Sequence, residues 1–199
     1  PAGLPFSLNK EFTHPRLQEN MTFSTFRYYI SNIRLRDLSG NWWSQPESYY
    51  IVDAKSVNDA KITMNEVPAG TYDAIEILFG VDSLRNVSGA QSGALSPSEG
   101  MFWSWNTGYI MLKAEGTSPA SADGTFAFHL GGFSGPNAVP YKRIFTFNGE
   151  SFEISKSKSA QIHFKANTAR LWHSSDGLAV RSKQHMPGPV AATMSKDFY

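Results

Sequence analysis

Between Met21 and Asp37 apolar and polar side chains alternate, and the alternation changes phase once. Phe26, Tyr28 and Ile30 share one parity, Ile33 and Leu35 share the other, and Ser31-Asn32 lies at the slip. Period-two alternation marks a half-buried strand, and a slip of one residue is what a β-bulge produces. A bent strand of this length makes a β-rich fold the first expectation.

The rest of the chain agrees. Ser39-Gly40-Asn41 supplies a turn before Trp42-Trp43. Residues 49–53 and 61–66 are shorter strand candidates. After the turn at residues 67–70, Ile75, Ile77, Phe79 and Val81 line one face of another. Residues 141–147 and 150–154 flank Asn148-Gly149, a strong hairpin signal. Residues 161–166 alternate again, with Ile162 and Phe164 opposite His163 and Lys165.

These patterns predict an all-β fold: a Greek-key two-sheet β-sandwich with long loops and little helix. Two sheets can bury their alternating faces against each other. One short helix is expected near the end of the chain, started by Gly188-Pro189. Residues 82–108 are too long and too rich in Gly and Ser for a hairpin, and loops of that kind are usually functional or disordered. Residues 1–199 read as one domain, without repeat or linker.

Composition narrows the function classes. The net charge is +1 and 18% of residues are charged, so the clustered positive charge that nucleic-acid binding needs is missing. Lys156-Ser157-Lys158, the tightest basic run, reads as a solvated turn. No apolar run approaches the roughly 20 residues that span a bilayer. The chain begins Pro-Ala-Gly, which suggests that a secretory or lipoprotein leader has been removed. Membrane attachment is expected only through such a leader or a lipid anchor. There are no cysteines, which excludes disulfides, thiol nucleophiles and Cys-based metal sites.

Enzyme templates fit badly. The chain has no Gly-x-Ser-x-Gly elbow, no phosphate-binding glycine loop and no His-Glu-x-x-His, so an enzyme is not expected. His129 follows Phe126 and Phe128 on the opposite parity, and His163 stands the same way in its own segment. Two imidazoles from different strands can converge on copper, zinc or nickel, although each can also serve only as a half-buried hydrogen-bonding group. His14 and His185, next to prolines or in turns, read as surface residues.

Trp103 and Trp105 share a parity. They could be core packing, an exposed sugar platform or part of a redox or metal site. Asp53, Asp82 and Asn86 offer oxygen donors that a structural calcium could use, though their spacing is not that of a calcium loop.

Several phrases then occur in a recognisable order. They are FRYYISNIRL, PESYYIVDA, VPAGTYDAIEILFGVDSLRNVSGAQSGAL, GMFWSWNTGYIMLKAEGTSP, FAFHLGGFSGPN and IHFKANTARLW. Together they resemble the MbnP-like protein family over nearly the whole chain. The resemblance implies an exported β-sandwich protein, periplasmic or lipid-anchored to the cell envelope. It is similar to copper-binding proteins of methane-oxidising bacteria of the MopE and CorA type, but belongs to a cysteine-free branch. In those relatives histidines hold copper, and a tryptophan oxidised to kynurenine lies at or near the metal. The partner implied is a MauG-like di-haem cytochrome c peroxidase.

Carried over by position, the resemblance makes Trp103 and Trp105 candidates for oxidation, and His129 and His163 the candidate ligands. Related sequences often carry His where Tyr50 stands, so Tyr50 marks an altered ligand position. The alternative is a cell-surface sandwich that binds a glycan or a protein through Trp42, Trp43 and Trp103.

Overall fold

A computed structural model of the chain describes residues 6–55, 60–103 and 108–199. The strands are β1 (Glu11–Thr13), β2 (Asn20–Asp37), β3 (Trp42–Ser44), β4 (Tyr49–Asp53), β5 (Gly70–Phe79), β6 (Phe102–Trp103), β7 (Gly108–Thr117), β8 (Thr125–Gly131), β9 (Tyr141–Thr146), β10 (Phe152–Ile154) and β11 (Lys183–Gln184). Among the described residues two α-helices accompany them, α1 (Ser83–Val87) and α2 (Pro189–Phe198). The fold is mostly β, as its alternation demands.

The architecture is one large curled mixed sheet, a half-barrel, rather than the expected pair of separate sheets. The reason lies in β2, which is 18 residues long and is shared by two sets of neighbours. Thr22 pairs with both Glu11 and Thr117, Tyr28 with Val52 and Leu112, and Arg34 with Ser44 and Glu76. One edge of β2 therefore holds β7 along its first half and β5 along its second. The other edge holds β1, β4 and β3 in turn.

The changeover coincides with the phase slip. The β2–β5 register shifts between Ser31 and Arg34, and Asn32 takes a positive φ of 50°. A bulge bends its strand and increases the local twist, so one sheet curls back on itself and encloses apolar side chains. Ser48 satisfies the backbone groups freed by the bulge: its carbonyl accepts from Asn32 N (2.9 Å) and its hydroxyl from Ile33 N (3.0 Å).

A cluster of aromatic rings lies under β2, β7 and β8. Phe23 meets Phe126 edge-on at 5.0 Å, and Trp172 meets Phe128 at 5.3 Å. Helix α2 begins where Gly188-Pro189 placed it, with Pro at its first turn, where a missing N–H costs nothing. Its Phe198 packs on Phe26 and Tyr28.

Three local expectations turn out differently. Asn148 and Gly149 both have positive φ, 54° and 86°, as a primed turn requires. Yet β9 and β10 do not pair with each other. Both run antiparallel to β5 along one edge, so residues 147–151 bulge out of a strand that resumes its course. Residues 61–66 and 161–166 form no strand among the described residues. In the first, Ile62 and Met64 still turn toward the core. Alternation reports which side meets apolar neighbours; a strand also needs a free hydrogen-bonding edge.

Candidate functional site

Directly opposed residues in a sheet share a face, and residues two apart along a strand do as well. Arg27 on β2 opposes Lys113 on β7, which opposes His129 on β8. Lys113, Glu115 and His129 therefore stand on one face, while Phe126, Phe128 and Leu130 line the core on the other. Strand β11 runs parallel to β8 with Lys183 opposite Ala127 and Gln184 opposite Phe128. Continuing that register by one residue brings His185 beside His129.

The three side chains form a line across β7, β8 and the end of β11. Glu115 Oε1 lies 2.7 Å from His129 Nε2, and His129 Nδ1 lies 3.1 Å from His185 Nδ1. The two rings cross nearly at right angles, with centroids 4.5 Å apart. Lys113 Nζ stands 3.7 Å from Glu115 Oε1.

The electrostatics favour an anionic Glu115 and a neutral His129. Burial pushes the Glu115 carboxyl up, but the hydrogen bond with His129 and the charge of Lys113 together bring it below the usual carboxylate range. Burial lowers the His129 pKa, the Glu115 hydrogen bond works against it, and the neighbouring His185 lowers it further; the net shift is downward. Glu115 then accepts from Nε2–H of His129, which assigns the lone pair of that ring to Nδ1. With that tautomer, the hydrogen of the Nδ1–Nδ1 contact comes from His185.

This donor set fits a late transition metal. Neutral imidazole suits copper and zinc, and the 3.1 Å separation is compatible with two bonds of about 2 Å to one ion. A carboxylate behind a ligating histidine is a common arrangement. Among the described residues no group of three or more His, Cys, Asp or Glu is arranged to hold a metal, so the candidate centre is a two-imidazole one.

Trp103 packs against the end of β8, at Gly131, two residues beyond His129. Its indole is buried, with 5% exposure, and covers Gly131, where any Cβ would collide with the ring. Trp103, Gly132, Phe133, Asn137 and Pro187 line a cleft of about 400 Å³, reached by the chain shortly after both His129 and His185. Residues 82–103, expected as a loop, contain α1 and two single-turn 3-10 helices, and Glu99 ion-pairs with Arg27 at 3.3 Å. Trp105 lies outside the described residues.

The other sequence candidates are placed elsewhere. His163 is exposed on the irregular stretch after β10, and the ring that meets His129 is that of His185. Tyr50 sits opposite Ile30, on the face of the sheet away from His129, and its hydroxyl accepts from Gln45 Nε2 at 2.6 Å. The oxygens considered for calcium are engaged by protein donors. Asp53 pairs with Arg27, Asp82 accepts from Tyr49 Oη and Asn32 Nδ2, and Asn86 Oδ1 accepts from Tyr109 N. The aromatic platform loses Trp103 to burial, and Arg34 lies over the Trp42 ring at 5.0 Å.

Two site residues escaped the sequence reading. Glu115 was legible in principle, because Lys113 and Glu115 share a parity opposite the apolar Leu112 and Ala114. His185 had no such signal, since a two-residue parallel strand leaves no periodicity.

The MbnP family model matches residues 2–189, which takes in Glu115, His129 and His185. The chain belongs to the MbnP family. Among solved structures it is similar to MbnP from Methylosinus trichosporium, at 16% identity and a TM-score of 0.49, covering 73% of this chain and 68% of that one. No curated protein matches it. No helix among the described residues is long and apolar enough to cross a membrane.

Proposed function

We propose that this MbnP-family chain is an exported, envelope-located copper-binding protein that holds the metal through His129 and His185. The observation that carries the reading is the meeting of two imidazole Nδ1 atoms at 3.1 Å, one on a ring anchored from behind by Glu115. Copper binds well to neutral imidazole and, as copper(I), accepts few ligands. Both His129 and His185 are half-buried, so the pair is neither sealed in the core nor fully open to solvent.

The role is capture and holding of copper rather than catalysis. The two histidines would hold the ion, and the surrounding sheet would keep their strands in register. Modification of Trp103 or Trp105 to kynurenine by a MauG-like di-haem peroxidase belongs to the same reading. Family membership supports it, together with the position of Trp103 against the end of β8.

The test is elemental analysis after separate loading with copper and zinc and removal of unbound metal. About one copper per chain, lost on combined His129→Ala and His185→Ala substitution, is the expected result. No retained copper in the unsubstituted protein, before and after treatment with a competent di-haem peroxidase, would overturn the reading.

A further inference from the structure

We infer that Glu115 is the positioning residue of the His129–His185 pair: it holds the proton of His129 on Nε2 and thereby makes Nδ1 the metal-binding nitrogen. Three features carry the inference. The Glu115–His129 contact, at 2.7 Å, lies at the short end of the N–H···O range, where bonds to an ionised acceptor fall. The two residues are diagonal neighbours on adjacent strands, since Lys113 opposes His129 and Glu115 opposes Ala127. The β7–β8 ladder therefore sets their geometry, and it does not depend on a loop. Finally, Glu115 is itself flanked on its own strand by Lys113, whose Nζ stands 3.7 Å from Oε1, and it lies opposite Thr25 on β2.

The consequence concerns which of two nitrogens faces His185. A neutral imidazole carries one N–H and one lone pair, and the partner of one nitrogen determines the state of the other. A carboxylate can only accept, so Nε2 must donate and Nδ1 must be bare. An amide at the same place could accept or donate, and the tautomer would no longer be specified. With Nδ1 of His129 bare, His185 contributes the N–H of their mutual contact. For both Nδ1 atoms to hold one ion, only His185 would have to carry its proton on Nε2 instead.

The inference uses the copper-binding reading for one arm of its test only. In the first arm, nitrogen-15 NMR of the metal-free protein is expected to show one His129 tautomer, protonated at Nε2, with slow exchange of that proton. In Glu115→Ala the exchange is expected to quicken at least tenfold and the tautomers to mix. An unchanged tautomer and exchange rate in a folded Glu115→Ala protein would overturn the inference, whatever the protein does with copper.

In the second arm, copper affinity is expected to fall about 10- to 100-fold in Glu115→Ala and Glu115→Gln, with the thermal midpoint little changed. Glu115→Asp keeps the charge but draws it back by one methylene, and should fall between. Affinity equal to the unsubstituted protein in all three would also overturn it. If the unsubstituted protein retains no copper at all, the copper reading fails and the first arm alone decides on Glu115.

Discussion

His14 is buried and His129 half-buried, and burial lowers the pKa of both, yet the fold uses them in opposite ways. His14 is 2% exposed, and its hydrogen-bonding capacity is spent within the protein. Its Nε2–H donates to the carbonyl of Ala169 at 2.8 Å, and its Nδ1 accepts from the backbone N–H groups of Arg16 and Leu17 at 3.2 and 3.1 Å. Its ring edge rests against Trp172. His129 engages one nitrogen with Glu115 and turns the other toward a second imidazole. Burial alone therefore does not distinguish a structural histidine from the proposed ligand. What distinguishes them is whether a lone pair is committed to the backbone or is left facing a group that can move aside.

The largest effect should come from removing the structural ring. His14→Ala leaves two buried N–H groups and one carbonyl without partners, and should cost about 3 kcal/mol of stability. A drop of that size in unfolding free energy from urea titration, with copper per folded chain unchanged, would sharpen the contrast. A loss of copper would break it. The reverse pattern is expected for His129→Ala: copper affinity down at least tenfold, about 1.4 kcal/mol, and stability moved by less than that amount. Competition with a chelator of known affinity reads the first quantity and urea titration the second.

A smaller effect separates the two through pH. The His14 pKa lies below its ordinary 6.5 because burial outweighs the hydrogen bond from its ring to Ala169; nearby Arg16 lowers it further and Glu19 raises it. The unfolded chain therefore binds a proton that the folded chain resists. The stability from this shift is present above pH 6.5 and is lost as pH falls through the folded value. The urea midpoint should decline between pH 7 and pH 5, and the decline should flatten in His14→Gln. A slope equal to that of the unsubstituted protein would assign the dependence to other groups. The smallest effect is expected at His163, which is exposed after β10. His163→Ala should leave stability and copper retention unchanged, and a lost equivalent of copper would move the site.

Several features could be read from the sequence because they are local. The phase slip at Ser31-Asn32, the positive-φ turn at Asn148-Gly149 and the proline-started helix after Gly188 each follow from a few adjacent residues and their backbone preferences. Likewise, the opposed parity of Phe128 and His129 put one in the core and the other on the polar face. A strand period says which way side chains point, but not which edge will accept the strand. That is why residues 61–66 and 161–166 alternate without joining the sheet.

The same limit governs the site. The sequence by itself determined that the protein is β-rich, that His129 turns away from the core and that the chain resembles the MbnP family. Only the tertiary structure decided that β2 would serve two sets of neighbours and curl one sheet. It alone chose His185 as the partner of His129 and put Glu115 behind them. Those choices join residues 14 and 56 positions apart. They depend on inter-strand register, which is set when whole strands find their edges and leaves no trace in the spacing of any one segment.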